Sequence, residues 1–382
     1  MKFLHASPSF LKPLPATARS VSAHKGMPRA RKAAKKRWEP QDQAPRPNSA
    51  QSGATTTPLP VTTPPPLTSA FPSNLFHLTR SGALEAFTPN LPATRFLSSR
   101  SIRCLTYNTY SASPSYTTRQ SISLLRVIRS TRADLIVLQE VSETLEALLH
   151  REAWARDYVM STTRGFSEAA GKGNGGGGKA GGEEAVLVMV KKDLMEMGSR
   201  CEFERLEVGP AEGGKALVEL RLMNASGNEQ LRLVTSHFSS LPQNAHIRRT
   251  QLSLALSFLT TSPATSSLLL GDFNNASESE LELLSPFLTD SYTPPSSSTD
   301  LFRDSPTYGE LYPFFYGGRG AKRKPRRIDR CYYGGSASVR GYELVGREQV
   351  RDAGGKRIWD REGAEGRVWP SDHLGVVVTV RL

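Results

Sequence analysis

Six short stretches of this chain place, at or next to an apolar run, residues able to hold a cation, move a proton or donate to an anion. Asn108 closes CLTYN, Gln139 and Glu140 close LIVLQE, and His237 closes LVTSH. Asp272 and Asn274 close LLLGDFN, Asp329 lies in RRIDR, and Ser371, Asp372 and His373 form PSDH ahead of the C-terminal apolar run. Each alone has an ordinary reading: a turn-forming Asn, a solvated loop carboxylate, a satisfied polar His. Their recurrence at strand ends does not. Strand ends on one sheet edge are neighbours in space, so these groups are able to converge.

Together they are the parts for cation-assisted hydrolysis of a phosphoester. Mg²⁺, with Mn²⁺ as the alternative, takes oxygen ligands and binds through one or two carboxylates plus substrate phosphate. Glu140 suits that role, with Asn108 and Asp372 beside it. The attacking water needs a base, and Asp272 can serve. The transition state needs donors on its oxygens, which Asn274, His237 and His373 can supply. An imidazolium needs a carboxylate to orient it, and Asp329 fits.

Alternating elements must carry these residues. SIRCLTYNT (101–109) and ADLIVLQEV (133–141) read as strands around RQSISLLRVIRST (119–131), whose apolar residues recur at helical spacing. SETLEALLHRE (142–152) reads as a helix capped by Ser142. Strands follow at 184–192, 216–223 and 230–238, then a helix at 245–259, then strands at SLLLGDF, RIDRCYY (327–333) and HLGVVVTVRL (373–382). Intermixed strands and helices over this length imply a layered α/β domain. The run GKGNGGGGKAGGEE (171–184) contains G-x-x-x-x-G-K, but Ala180 follows where a phosphate loop needs Ser or Thr. It is expected to be a flexible surface loop.

The 382-residue chain carries a formal charge of +13, unevenly placed: residues 1–100 hold 14 Lys and Arg against 3 Asp and Glu, a net of +11. That stretch is rich in Pro, Ser and Thr and is expected to be disordered over 1–95, with a folded domain over 96–382. Its basic cluster PRARKAAKKRWEP (28–40) is of the nuclear-import type; a mitochondrial presequence is the alternative, since no acidic residue precedes Glu39. Pro8, Pro13 and Pro15 argue against a secretory core, and no apolar run approaches the ~18 residues of a membrane span. Three cysteines, none at metal-ligand spacing, point to a reducing compartment.

The ordered blocks TYN, LQEV, TSH, GDFN, RIDR and SDH resemble the endonuclease/exonuclease/phosphatase superfamily over residues 101–382. The resemblance implies a four-layer α/β sandwich of two packed mixed sheets flanked by helices, with one Mg²⁺ or Mn²⁺ site at its edge. It implies the same roles for Glu140, Asp272 and the Asp329–His373 pair. TSHFSSLPQNAHIRRTQL (235–252), with Arg248, Gln251 and Leu252, is similar to the tyrosyl-DNA phosphodiesterase branch that clears 5′-linked tyrosine; Ser239 stands where that branch carries Glu. The expected partner is then a DNA end bearing a 5′-linked tyrosine or peptide, met by a monomer with no membrane. Substrate contacts are expected at Arg248, at Tyr308 as a stacking aromatic, and at Arg327 in the basic run GGRGAKRKPRRIDR (317–330). Other activities of the superfamily, on abasic sites, RNA, small molecules or lipids, remain the alternative.

Overall fold

Period-two alternation in the apolar runs builds two sheets. The structure, a computed structural model, describes residues 70–73, 75–79, 84–86, 101–111, 116–161, 185–196, 200–207, 216–224, 226–261, 266–293, 305–309, 325–351, 355–357 and 368–382. The strands in chain order are β1 (Ala70–Ser73), β2 (Leu75–Leu78), β3 (Leu84–Ala86), β4 (Ser101–Asn108), β5 (Leu135–Val141), β6 (Tyr158–Ser161), β7 (Ala185–Lys191) and β8 (Arg200–Glu207). They continue with β9 (Ala216–Met223), β10 (Glu229–His237), β11 (Ser266–Asp272), β12 (Thr289–Asp290), β13 (Asp329–Gly335), β14 (Ser338–Val345) and β15 (Gly375–Arg381). The helices are α1 (Thr118–Thr131), α2 (Glu143–Leu149), α3 (Lys192–Glu196), α4 (Ala245–Thr261) and α5 (Glu278–Leu281).

One sheet runs β1-β8-β9-β10-β11-β13-β12 and the other β14-β15-β4-β5-β7-β6-β2-β3. Ile102 and Cys104 of β4, Leu135 and Val137 of β5, and Val376, Val378 and Val380 of β15 share one buried core with Leu231, Leu233, Leu268 and Leu270 of the other sheet. The intervening residues Leu105, Ile136, Leu138 and Val377 face outward and pack under α1 and α2 with Leu124, Leu125, Ile128 and Leu145. On the opposite side Val234 and Leu269 pack under α4 with Leu252, Ala255 and Leu259. Alternate side chains leave opposite faces of a strand, so two apolar faces per sheet give four layers: helices, sheet, sheet, helices. The expected sandwich of two mixed sheets is the fold found.

The topology collects strand ends. β4 and β5 are parallel, with Asn108 opposite Gln139; β10 and β11 are parallel, with His237 opposite Asp272. Parallel neighbours need a crossover, and α1 and α4 supply it. β13 is antiparallel to β11 and begins with Asp329 opposite Asp272; β15 is antiparallel to β4 and begins just after His373.

The N-terminal boundary differs from the expectation. Residues 70–86, read as part of a disordered tail reaching residue 95, hold three strands: β1 pairs with β8 at one sheet, and β2 pairs with β6 and β3 at the other. Edge strands join by backbone hydrogen bonds and need little apolar sequence; Pro72 within β1 is tolerated because an edge strand has a ladder on one side only. The strands β6, β8, β12 and β14 were also absent from the sequence reading. The basic cluster at 28–40 and the glycine run at 171–184 lie outside the described residues. Cys104, Cys201 and Cys331 are buried and free. Among the described residues no helix is long and apolar enough to cross a membrane.

Candidate active site

β11 is buried along its whole length and ends at Asp272. Gly271 precedes it with φ +154°, and a Cβ there would sit 2.2 Å from the Ser236 carbonyl oxygen of β10. Glycine alone permits that approach, which sets His237 beside Asp272. Asp272 Oδ1 accepts from the Asn274 backbone N–H at 2.7 Å, and Oδ2 accepts from Asn108 Nδ2 at 2.8 Å. His237 Nε2 lies 3.5 Å from the same Oδ2. Asn274 has φ +52°, a conformation Asn tolerates. Its Nδ2 donates to the Phe238 carbonyl at 2.7 Å, so one of its two amide hydrogens is already engaged.

Glu140 also stands at positive φ, +53°. For a residue other than Gly this costs about 1–2 kcal/mol and persists only where neighbours enforce it. Here Thr109 Oγ1 and Ser111 Oγ each donate to the Glu140 carbonyl at 2.8 Å, and Ser142 N–H donates to Ser111 Oγ at 2.8 Å. The Glu140 carboxylate meets Asn108 Nδ2 at 2.9 Å and lies 3.7 Å from His237 Nε2. Among the described residues four non-glycines have positive φ, and three of them, Tyr110, Glu140 and Asn274, flank this site.

Asn108 was expected to help hold a cation. Fully buried, it turns Nδ2 to both carboxylates, while Oδ1 accepts from the Tyr110 N–H at 3.0 Å. The reverse orientation would set its oxygen against two carboxylates, so the network fixes it. Asn108 is a bridge between Glu140 and Asp272.

His373 Nδ1 meets Asp329 Oδ2 at 2.8 Å, both groups buried. Burial alone would lower the imidazole; the Asp329 carboxylate overrides it and holds His373 at about 10. Burial pushes Asp329 up to about 6, against the pull of His373 and with a push from Asp272. Near neutral pH the pair is therefore imidazolium and carboxylate, and His373 Nε2 is a donor. That nitrogen lies 3.8 Å from Asp372 Oδ1. Thr307 locks the two strands that carry the pair. Its Oγ1 accepts from the Ile328 and Asp329 N–H groups at 3.0 and 2.9 Å, and its carbonyl accepts from the Leu374 N–H at 2.7 Å. Ser371 Oγ donates to the Asn108 carbonyl at 2.8 Å and accepts from the His373 N–H at 3.1 Å, joining this segment to β4. Tyr308 is half-buried, its ring centroid 4.9 Å from that of His373.

The donor set fits a hard divalent cation. Glu140, Asp272, Asp329 and Asp372 bring carboxylates to one edge, and Asp329 Oδ1 is buried without a hydrogen-bond partner. Asp272, Asp329 and His373 each offer a ligand atom within 4.8 Å of the others, so a buried acidic and histidine group able to hold a metal is present. As an imidazolium, however, His373 has only donors to offer, which suits anion oxygens rather than a cation. Of the four carboxylates at this edge, Glu140 and Asp372 are the two that the sequence assigns to an ion.

Two expected substrate contacts are corrected. Arg248 is fully buried: Nε and Nη2 meet Glu280 at 2.9 and 3.3 Å, and Nη1 donates to the Ser239 and Leu241 carbonyls at 3.0 and 2.8 Å. It clamps the loop after His237 to α5, with Gln251 accepting from the Ser239 N–H at 3.1 Å and Asn244 donating to Ser239 Oγ at 2.9 Å. Arg327 is buried against Asp290, with contacts of 2.9 and 2.6 Å, and lies over the Tyr292 ring. Freeing Arg248 for a phosphate would leave the buried Glu280 carboxylate without its cation, at about 3–5 kcal/mol. Sequence reasoning missed Thr307, Thr109, Ser111 and Asn275. Thr109 stands one residue past β4 and the others lie in loops, where hydroxyl and amide residues carry no periodic signal.

Comparison with known proteins agrees with this geometry. The model of the Endonuclease/Exonuclease/phosphatase family matches residues 105–373. No curated protein matches the chain. Among solved structures, D. rerio TDP2 complexed with single strand DNA product is 15% identical, with a TM-score of 0.54 over 74% of this chain and 99% of that one. Humanized D. rerio TDP2 with 14 mutations is 16% identical, with a TM-score of 0.52 over 74% and 99%. Truncated Caenorhabditis elegans TDP2 is 16% identical, with a TM-score of 0.52 over 73% and 97%. At these identities the likeness establishes the fold. The family match over most of the chain, on a sandwich whose edge gathers the acid, amide and imidazole groups, shows that this protein belongs to the Endonuclease/Exonuclease/phosphatase family, hydrolases of phosphoester bonds.

Proposed function

We propose that the chain is a Mg²⁺- or Mn²⁺-dependent phosphodiesterase that hydrolyses 5′-phosphotyrosyl bonds at DNA ends, as repair of topoisomerase–DNA adducts requires. The observation that carries the hydrolytic reading is the convergence of Asp272, held by Asn108 and Asn274, with the buried His373–Asp329 pair. Asp272 takes the proton of the attacking water. His373 donates Nε2–H to a phosphate oxygen, and Asp329 fixes its ring. His237, beside both Asp272 and Glu140, donates to the same group. A cation held by Glu140 and Asp372 supplies Lewis-acid charge to the phosphoryl oxygens when bound.

Three points support the tyrosyl-DNA substrate. The TSH-to-RxxQL block forms one clamped loop at the site, with Arg248 and Gln251 gripping Ser239. D. rerio TDP2, of the same fold, is complexed with a single strand DNA product. A phenolate, of pKa ~10, leaves more readily than an alkoxide, so hydrolysis needs no dedicated acid on the leaving group. In this reading the basic cluster at 28–40 directs nuclear import.

The test uses the full chain with Mg²⁺ or Mn²⁺ and an oligonucleotide bearing a 5′-phosphotyrosine, with an abasic duplex and an RNA oligonucleotide beside it. The expected result is a free 5′-phosphate end, lost on EDTA treatment and restored by the cation. Cleavage confined to a companion substrate would move the protein to another activity of the family.

A further inference from the structure

Among the described residues, arginines near the site divide into those with a carboxylate partner and one without. Arg248 pairs with Glu280, and Arg327 and Arg330 pair with Asp290. Arg326 is exposed, and its Nη1 donates to Asn275 Oδ1. Asn275 Nδ2 in turn donates to the Ser240 carbonyl at 2.5 Å, so the amide that orients the guanidinium is itself fixed. Asn275 is neutral: it orients Arg326 and leaves its charge intact. No carboxylate among the described residues pairs with Arg326.

The backbone sets where this charge sits. Arg326 and Tyr308 exchange both of their backbone hydrogen bonds, each at 3.0 Å. On its other side Tyr308 stands opposite His373 in a second antiparallel bridge. Residues directly opposite in antiparallel pairs project from the same face. Arg326, Tyr308 and His373 therefore form a row on one face, spaced by the ~4.8 Å between neighbouring strands. The ring contact between Tyr308 and His373 agrees with this. Arg327, one residue on, projects from the opposite face and is buried against Asp290. Side-chain alternation moves the free cation by one position from the residue expected in the sequence.

We propose that Arg326 binds a backbone phosphate of the substrate strand, with Tyr308 as the platform between that phosphate and the reacting phosphate at His373. This rests on the reading of the substrate as a nucleic acid end. Two strand spacings make ~10 Å, which puts Arg326 within reach of a nearby phosphate of the strand whose end is at His373. An aromatic ring between two cationic positions is the pattern for a single-stranded end, where bases stack and phosphates meet fixed charge.

Direct binding tests this apart from the tyrosyl-bond reaction. The full chain carrying Asp272→Asn would be titrated with a fluorescent single-stranded DNA oligonucleotide by anisotropy at several salt concentrations. Adding Arg326→Gln should weaken binding roughly tenfold. It should also lower the slope of log affinity against log salt by about 0.7, the value for one phosphate on a single strand. Arg340→Gln removes the same charge from β14 and should leave both unchanged. Equal effects of the two substitutions, an unchanged slope in Arg326→Gln, or no binding by the parent chain would each overturn the proposal. Arg326-dependent binding, with no cleavage of the 5′-phosphotyrosyl oligonucleotide by the chain that retains Asp272, would uphold this proposal and overturn the tyrosyl reading alone.

Discussion

Two buried ion pairs belong to the site region, Asp329–His373 and Glu280–Arg248. Both join a carboxylate to a cation at short range, with little exposure on either side. They differ in what is left over. In Arg248 every guanidinium nitrogen already donates, to Glu280 or to the Ser239 and Leu241 carbonyls. In His373 one nitrogen is spent on Asp329, and the other is a donor 3.8 Å from Asp372. A saturated pair can only hold structure in place; a pair with a donor in reserve can meet a substrate. The same comparison separates Arg327, whose charge the Asp290 carboxylate meets, from Arg326, whose charge only a neutral amide orients.

The largest expected effect lies at the carboxylate beside the unsaturated pair. Asp272→Asn should lower turnover by at least about 10³-fold, with the circular-dichroism spectrum unchanged; near-normal turnover would remove Asp272 from the role of base. Next, His373→Ala, assayed well below its unfolding temperature, should lose about 10²–10³-fold in kcat. Arg248→Ala should show itself chiefly in stability, lowering the unfolding free energy in urea by about 3–5 kcal/mol because it strands the Glu280 carboxylate. If His373→Ala costs stability alone, or Arg248→Ala costs turnover alone, the contrast between the pairs collapses.

The smallest effect is on pH dependence. Burial works against the charge on Glu280, but the Ser277 N–H, the Arg248 guanidinium and the Ser277 hydroxyl outweigh it and hold this carboxyl below its usual value. A lowered native pKa means that stability is gained above the unfolded value, about 4.3 for Glu, and lost as the pH falls through the native one. Urea midpoints of the wild type should therefore fall more steeply below about pH 4.3 than those of Glu280→Gln. Parallel curves would show that the clamp does not depend on that charge.

The contrast also explains what was legible in the sequence. Asn108, Glu140, His237, Asp272, Asp329 and His373 announced themselves because each follows or opens an apolar run, and strand ends are local features. The sandwich was legible for the same reason. Arg248 and Arg327 were misplaced because a motif shows that an arginine is near a site and not which way it faces. That depends on Glu280 and Asp290, which stand 32 and 37 residues further along the chain or back from them. That Asn108 bridges two carboxylates could not be read from its type, since it depends on the positions of Glu140 and Asp272 on other strands. Thr307 was invisible because its work is done by one hydroxyl and one carbonyl.

The strands of residues 70–86 bear on how the protein can be cut. One short segment supplies β1 to one sheet and β2 and β3 to the other. A truncation at residue 95, where the composition changes, would strip the outer strand from both sheets at once and leave β8 and β6 as bare edges. Unpaired edges recruit other chains, so such a fragment is expected to aggregate, while one beginning ahead of Ala70 keeps both edges covered. The basic arm can be removed for crystallisation or assay only up to that point.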